Sequence, residues 1–284
     1  VRPQNVEKII TLSAPSVYPD GGWAVVSATR PSLSADDYVG QLWRISLAGA
    51  PSQRLTRGFR DTSPQFSPDG RVIAFLRSEP GAAAQLAIIP ADGGEPMVIT
   101  DAKLGVREFA FSPNSQRLAY VASVPVEGRF GTTDGVDTGH EDPRLIDQLK
   151  FHANGVGYLG DQRRQVFVLD VPDPRGEPVV KPVGRAALNV PGATSVPPSQ
   201  QLSFGDFDHD AVAWIGASVI AISARHPGAD RDLRADLYRF DPDAAEPVRL
   251  TESTLGPRWA SRCSSSEVTP VSYTHLTLPT NREV

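Results

Sequence analysis

Short apolar runs of strand length, separated by polar turns rich in Gly, Pro, Asp and Ser, recur along this chain. The clearest unit lies between Ser63 and Thr100. Ser67-Pro68-Asp69-Gly70 carries the residues a type I turn asks for: Ser first, Pro presetting φ at the second place, Asp bonding locally at the third, Gly last. The runs Val72–Leu76 and Leu86–Ile89 follow, and Ala91-Asp92-Gly93-Gly94 turns the chain again before Met97–Ile99. β-branched and aromatic residues in runs this short, bounded by turn signals, predict strands rather than helices.

The same grammar recurs. Tyr18-Pro19-Asp20-Gly21 is followed by Trp23–Thr29 and Gln41–Leu47, closing at Leu55-Thr56. Phe111-Ser112-Pro113-Asn114 is followed by Leu118–Ala122 and Gln165–Val171. A fourth copy has Ala213-Trp214, a degenerate turn at Ile215-Gly216-Ala217-Ser218, then Val219–Ser223 and Leu237–Phe240, closing at Leu250-Thr251; a fifth opens at Pro257-Arg258-Trp259. The aromatics that lead into each turn, Tyr18, Phe66, Phe111, Trp214 and Trp259, are separated by 48, 45, 103 and 45 residues.

An interval of about 40–50 residues holding four strands is one propeller blade. The expected fold is therefore all-β, an incomplete β-propeller of four-stranded antiparallel blades, about four plus the start of a fifth. The blades fall near residues 10–56, 57–100, 101–203, 204–251 and a fragment at 252–260. The long third interval has room for one blade with insertions or for two; one, with insertions at 124–161 and 172–199, is expected, since neither stretch contains a second turn of the same kind. A sandwich would share the turns but not their spacing, nor the Leu-Thr or Ile-Thr that closes three of the units.

Composition supports a packed fold, with 40% hydrophobic and 21% charged residues. A net charge of -5 supplies no basic field for phosphates, so nucleic acid is not an expected partner. No run of 18 apolar residues exists, so no membrane association is expected. The single cysteine, Cys263, has no internal disulfide partner, consistent with a reducing, cytoplasmic setting. Only four residues are lysine (Lys8, Lys103, Lys150, Lys181) against many arginines, the habit of a GC-rich bacterial genome. The chain starts at Val1 with no initiator Met, and is expected to begin within a longer protein. Near the other end, Val271–Thr280 breaks every preceding pattern and back-translates to something resembling a sequencing-library adapter. Residues 261–284 are therefore expected to be a junction and a non-native tail.

Candidate chemistry reduces to decoys. Gly155-Val156-Gly157-Tyr158-Leu159-Gly160 matches a dinucleotide fingerprint, but that motif works only between a strand and a helix. Here Gln165–Val171 follows, and a Gly-rich loop or hairpin is expected. Asp206-Phe207-Asp208-His209-Asp210 opens like a calcium loop, yet Ala211 and Ala217 stand where the Gly and Glu must be. A solvated acidic inter-blade turn is the better reading, with His209 available to donate a hydrogen bond that orders it. His140-Glu141 lacks the second histidine of a zincin and sits in a polar segment, 131–143, read as a flexible insertion. His152 and His226 are isolated. Charged residues of the insertion, such as Arg129, Arg144 and Arg163, are candidates to face a substrate, but the sequence does not give their direction and no binding site is assigned. No catalytic, metal or cofactor-binding residue is assigned, and no cofactor is expected.

Pro143-Arg144-Leu145-Ile146, Lys150-Phe151, Gly155–Tyr158 and Gln165–Val171, followed by Gly205–His209, Ala213-Trp214 and Ser223–His226, resemble the N-terminal propellers of prolyl oligopeptidase-family serine peptidases. The likeness is to the bacterial acylaminoacyl-peptidase and dipeptidyl-peptidase-like members, over roughly residues 10–260. It implies a two-domain parent in which the propeller gates a C-terminal α/β-hydrolase domain, its partner, and admits peptides or N-acylated peptides. That domain requires a Gly-x-Ser-x-Gly elbow with Asp and His partners. No such pentapeptide occurs in these residues, so the chain by itself is expected to be inactive. The alternative is a stand-alone protein-binding propeller of the envelope-assembly type.

Overall fold

The computed structural model describes residues 3–190, 194–244 and 246–252. The fifth repeat opening at Trp259, Cys263 and the 261–284 tail lie outside the described residues. The described chain is built almost wholly from short antiparallel strands in four successive meanders.

The first meander comprises β1 (Thr11–Leu12), β2 (Ser16–Val17), β3 (Trp23–Ser32), β4 (Asp37–Ser46) and β5 (Gln53–Arg54), with β1 and β2 both pairing β3. The second runs through β6 (Arg60–Phe66), β7 (Val72–Ser78), β8 (Gln85–Pro90) and β9 (Met97–Val98). A single parallel bridge, Gly40 to Arg60, joins it to the first. The third is β10 (Val106–Phe111), β11 (Arg117–Pro125), β14 (Gln162–Asp170) and β15 (Ser199–Gln201); a small hairpin, β12 (His152–Ala153) and β13 (Gly157–Tyr158), lies in its long connection. The fourth is β16 (His209–Ile215), β17 (Ser218–Ser223), β18 (Asp236–Phe240) and β19 (Val248–Arg249). The 103-residue interval thus holds one four-stranded meander with two long connections.

Each turn forms by the chemistry its residues carry. The Ser67 hydroxyl donates to Asp69 Oδ1 at 2.6 Å and accepts the Val72 N–H at 3.0 Å. Ser112, Asn114 and Arg117 repeat this, at 2.7 and 2.8 Å. Gly70 takes φ 73°, where a side chain is disfavoured, and a Cβ there would also meet the Tyr18 ring at 2.9 Å. In the fourth meander a two-residue loop, Gly216-Ala217, replaces the Ser-Pro-Asp-Gly turn between the paired Ile215 and Ser218.

Phe66, Phe111 and Trp214 occupy one structural position, paired with Ile73, Leu118 and Val219 on the second strand of their meanders. The cores lie between meanders rather than within one. Trp23, Val25 and Leu42 pack on Ile73, Phe75 and Ile89. Leu76, Leu86 and Ile88 pack on Phe109, Leu118 and Tyr120. Val121, Val166 and Val168 pack on Trp214, Val219 and Phe240. The middle strands of the second meander are buried on both faces, which is why Val72–Leu76 reads as an unbroken apolar run.

Several strands extend beyond their apolar runs. β14 begins at Gln162 rather than Gln165, because Arg163 and Arg164 find carboxylates on the segment that leads into and opens β16: Asp206 for the first, Asp208 and Asp210 for the second. β11 continues to Pro125 through its pairing with the same segment.

Candidate functional site

Alternating strand directions place the second-to-third connections of all four meanders at one end of the molecule: 33–36, 79–84, 126–161 and 224–235. The 126–161 connection is long enough to form a strap beside its neighbour at 224–235. At its root, the Arg144 guanidinium forks onto Asp161 (Nε 2.9 Å and Nη2 2.7 Å to Oδ2) and lies 4.6 Å over the Tyr158 ring. Arg129 Nε sits 3.5 Å from Asp161, and its Nη1 donates to the Asp142 carbonyl at 2.6 Å. Glu141 accepts the Gly131 N–H at 3.0 Å. The segment 131–143, read from sequence as a flexible insertion, is thus held by a charge network. Polar composition misled because its partners are distant in sequence.

At the tip, the Asp230 carboxylate accepts the backbone N–H groups of Leu149 and Lys150 at 2.8 and 2.7 Å, and these two bonds hold its pKa below the usual range. Lys150 Nζ donates to the Asp232 carbonyl. Burial works to raise the Asp232 pKa, but hydrogen bonds from Arg234 and from His226 (Nε2 at 2.9 Å) outweigh it and bring it to about 2. His226 is therefore a structural partner on the loop that receives the strap.

Under the strap is a cleft of about 330 Å³ whose lining includes Arg129, Arg144, Ile146, Phe151, Tyr158 and Arg163. The three arginines singled out from sequence do converge here. Each is engaged by a carboxylate: Arg129 and Arg144 by Asp161, Arg163 by Asp206 at 2.6 Å. The hydrogen bond to Asp161 raises the Arg144 pKa, so its charge is fixed. The cleft can receive an apolar or amphipathic chain, but it brings together no nucleophile and base. A larger groove of about 1080 Å³ lies at the opposite end, where Arg44 stacks 4.1 Å over Trp23.

The Gly155–Gly160 stretch is the β12–β13 hairpin followed by a 3-10 turn, Leu159–Asp161, and no α-helix starts there. The acidic turn at 206–210 is occupied by arginines. Buried His209, whose Nδ1 as the donor tautomer reaches the Arg164 carbonyl at 2.9 Å, orders it. A serine–histidine contact does occur, Ser203 Oγ to His209 Nδ1 at 3.4 Å, but both residues are buried and the other ring nitrogen faces Arg225 rather than a carboxylate. Burial lowers the His209 pKa to about 4. His152 lies edge-on to Tyr158, with centroids 5.5 Å apart. Asp161 and Asp230, the residues that organise the strap, were missed: an isolated Asp in a polar loop carries no signal of its own.

Repeated meanders with cores between them define a β-propeller of four-stranded antiparallel blades, a scaffold on which connections build binding sites. No protein-family model matches the chain. Among curated proteins it is 26% identical over 168 residues to the uncharacterized peptidase YuxL of Bacillus subtilis, covering 59% of this chain and 26% of that protein. It is 29% identical over 110 residues to dipeptidyl-peptidase 5 of Porphyromonas endodontalis, covering 38% and 16%. In fold it is similar to the acylaminoacyl peptidase of Pyrococcus horikoshii, with a TM-score of 0.59 at 18% identity over 87% of this chain and 33% of that one. It is likewise similar to the β-propeller domain of the trilobed protease of Pyrococcus furiosus, with a TM-score of 0.50 at 13% identity over 86% and 58%. The chain is a propeller similar over most of its length to those of prolyl oligopeptidase-family peptidases, and it spans about a quarter or less of the curated relatives it matches.

Proposed function

We propose that these residues are the substrate-gating propeller of a serine peptidase whose catalytic α/β-hydrolase domain lies elsewhere on a longer polypeptide, and that its substrates are peptides or N-acylated peptides. One observation supports this most directly: the match to the Bacillus peptidase covers 59% of this chain but only 26% of that protein, leaving room there for a further large domain. The strap supports the gating role, since a side-chain-sized cleft beneath a pinned connection is suited to contacting an extended chain. The three arginines around it are paired with carboxylates of the same chain, so the cleft offers an anionic substrate little and sorts more by size and shape.

The test is to read the continuous gene, express its full product and assay hydrolysis of N-acylated and free peptide anilides, with a fluorophosphonate to label a nucleophilic serine. Serine labelling with peptide hydrolysis is expected. A gene with no Gly-x-Ser-x-Gly domain would overturn the proposal in favour of a stand-alone protein-binding propeller.

A further inference from the structure

The strap carries an anomaly. It is fastened at both root and tip, yet it presents Leu145 at 89% exposure, Leu149 at 73% and Ile146 at 50%, with Phe151 also exposed. The receiving loop adds Leu233 at 69%. Large apolar side chains scattered singly over a surface need no explanation, but several on one pinned connection and its neighbour mark an interaction site. Ordering this segment costs backbone conformational entropy. The Arg144–Asp161 fork and the Asp230 latch offset that cost to hold apolar groups in water.

The course of the chain indicates what covers them. In each meander the first strand starts, and the fourth strand ends, at the same end of the molecule as the second-to-third connections. The segment before β1 is held there, with Glu7 Oε1 accepting the Leu33 N–H at 2.7 Å, and β19 delivers Thr251 to that end. Sequence on either side of the described meanders is thus led to the end that bears the strap.

We infer that Leu145, Ile146, Leu149 and Phe151 form a docking surface for a second domain of the same polypeptide, so that the strap is a contact between domains as well as the roof of the cleft. This rests on the reading above that such a domain exists. The occupant is a folded domain presenting a complementary apolar surface. The charges of Arg129, Arg144 and Arg163 are already neutralised, so an anionic partner gains nothing from them.

The test uses the full polypeptide with the photo-cross-linking residue p-benzoylphenylalanine placed at position 145, and at position 188 as the control. Leu188 is 81% exposed, on the other long connection of the third meander, which leaves from the opposite end. Several-fold more cross-linking to residues of the second domain is expected from position 145 than from 188, mapped by peptide mass spectrometry. The L145D/L149D variant, altered at two exposed sites, should lose the added thermal stability that docking gives the second domain. Equal cross-linking from the two positions, with serine labelling intact, would overturn the docking surface and leave the peptidase reading standing. A gene encoding no second domain would overturn both.

Discussion

Thr100 Oγ1 accepts the backbone N–H of Leu86 at 2.9 Å, and the same bond closes every meander. Thr56 takes it from Leu42 at 3.0 Å, Ser203 from Val166 at 2.8 Å and Thr251 from Leu237 at 3.0 Å. In each case the residue before the hydroxyl donates its own N–H back to the carbonyl of that same third-strand residue, as Ile99 does to Leu86 at 2.8 Å. The side chain before the third-strand residue completes the closure: Gln85 Oε1 accepts the Thr100 hydroxyl, Gln165 that of Ser203, and Asp236 that of Thr251. The hydroxyl thus acts as an extra rung where the fourth strand ends.

Thr100 is 3% exposed, so its loss leaves a buried N–H without a partner, a penalty of about 1–3 kcal/mol. Thr100→Val, which keeps the shape, is expected to lose stability in that range by urea denaturation, whereas Thr100→Ser should lose little. Equal losses in the two variants would place the effect in packing instead.

Much of this was legible. The Leu-Thr and Ile-Thr closings of three meanders and the Ser-Pro-Asp-Gly turns are local, so spacing exposed the repeat. The third closing, Leu202-Ser203, escaped because it lies 37 residues from its partner rather than the 14 of the other three, and because Ser stands for Thr. The strap escaped for a related reason. Arg129, Arg144 and Arg163 could be named as candidates, but their direction depends on Asp161 and Asp206, and a pairing across 17 or 43 residues leaves no periodic trace.

Asp61 is fully buried and accepts a bidentate pair of bonds from Arg77, at 2.8 and 2.9 Å. That pair raises the Arg77 pKa against burial, which works to lower it. Removing one partner of a buried pair strands the other, at about 3–5 kcal/mol. Arg77→Met should therefore cost more than Asp61→Ala, because loss of the arginine leaves a fully buried carboxylate with no route to water, whereas the Arg77 side chain retains 15% exposure and can still reach solvent. Denaturant titrations of the two variants check this order, and a larger loss for Asp61→Ala would contradict it.

His209 gives a pH signature. Its folded pKa of about 4 lies below the ordinary histidine value of 6.5, because burial disfavours the charged ring. The unfolded chain binds the proton more readily, so the stability tied to neutral His209 is complete above about pH 6.5 and is lost as pH falls towards about 4. The full loss is roughly 3 kcal/mol. Arg164, Arg225 and Asp208 also act on the ring, while Glu108 and Asp210, their pKa values raised by burial, titrate in the opposite sense. The informative quantity is therefore wild type against His209→Asn, whose amide retains a donor for the Arg164 carbonyl. The wild type should lose stability relative to the variant between pH 6.5 and 4.5 in denaturant titrations. Parallel curves would show that His209 does not titrate on unfolding.

The two terminal sheet faces set the behaviour of the chain in solution. On the first meander, Leu42, Val25 and Trp23 face the second meander, and the cross-strand register then puts Leu12, Val17, Val26, Trp43 and Ile45 on the other side. Leu12 is 61% exposed and Val17 50%. On the fourth, Trp214, Val219 and Phe240 face the third meander, which leaves Ile222, Leu237 and Val248 on the other side, Val248 at 45% exposure. Apolar faces of this kind bury themselves against a matching surface, at about 25 cal/mol for each Å² removed from water. With only these 284 residues present, a second copy is the surface at hand, and short strand edges on the same meanders add pairing sites. Size-exclusion chromatography with light scattering is expected to give a mass that rises with concentration, and L12D/V17K should shift it towards the monomer. A concentration-independent monomer would mean that these faces are covered within a single chain.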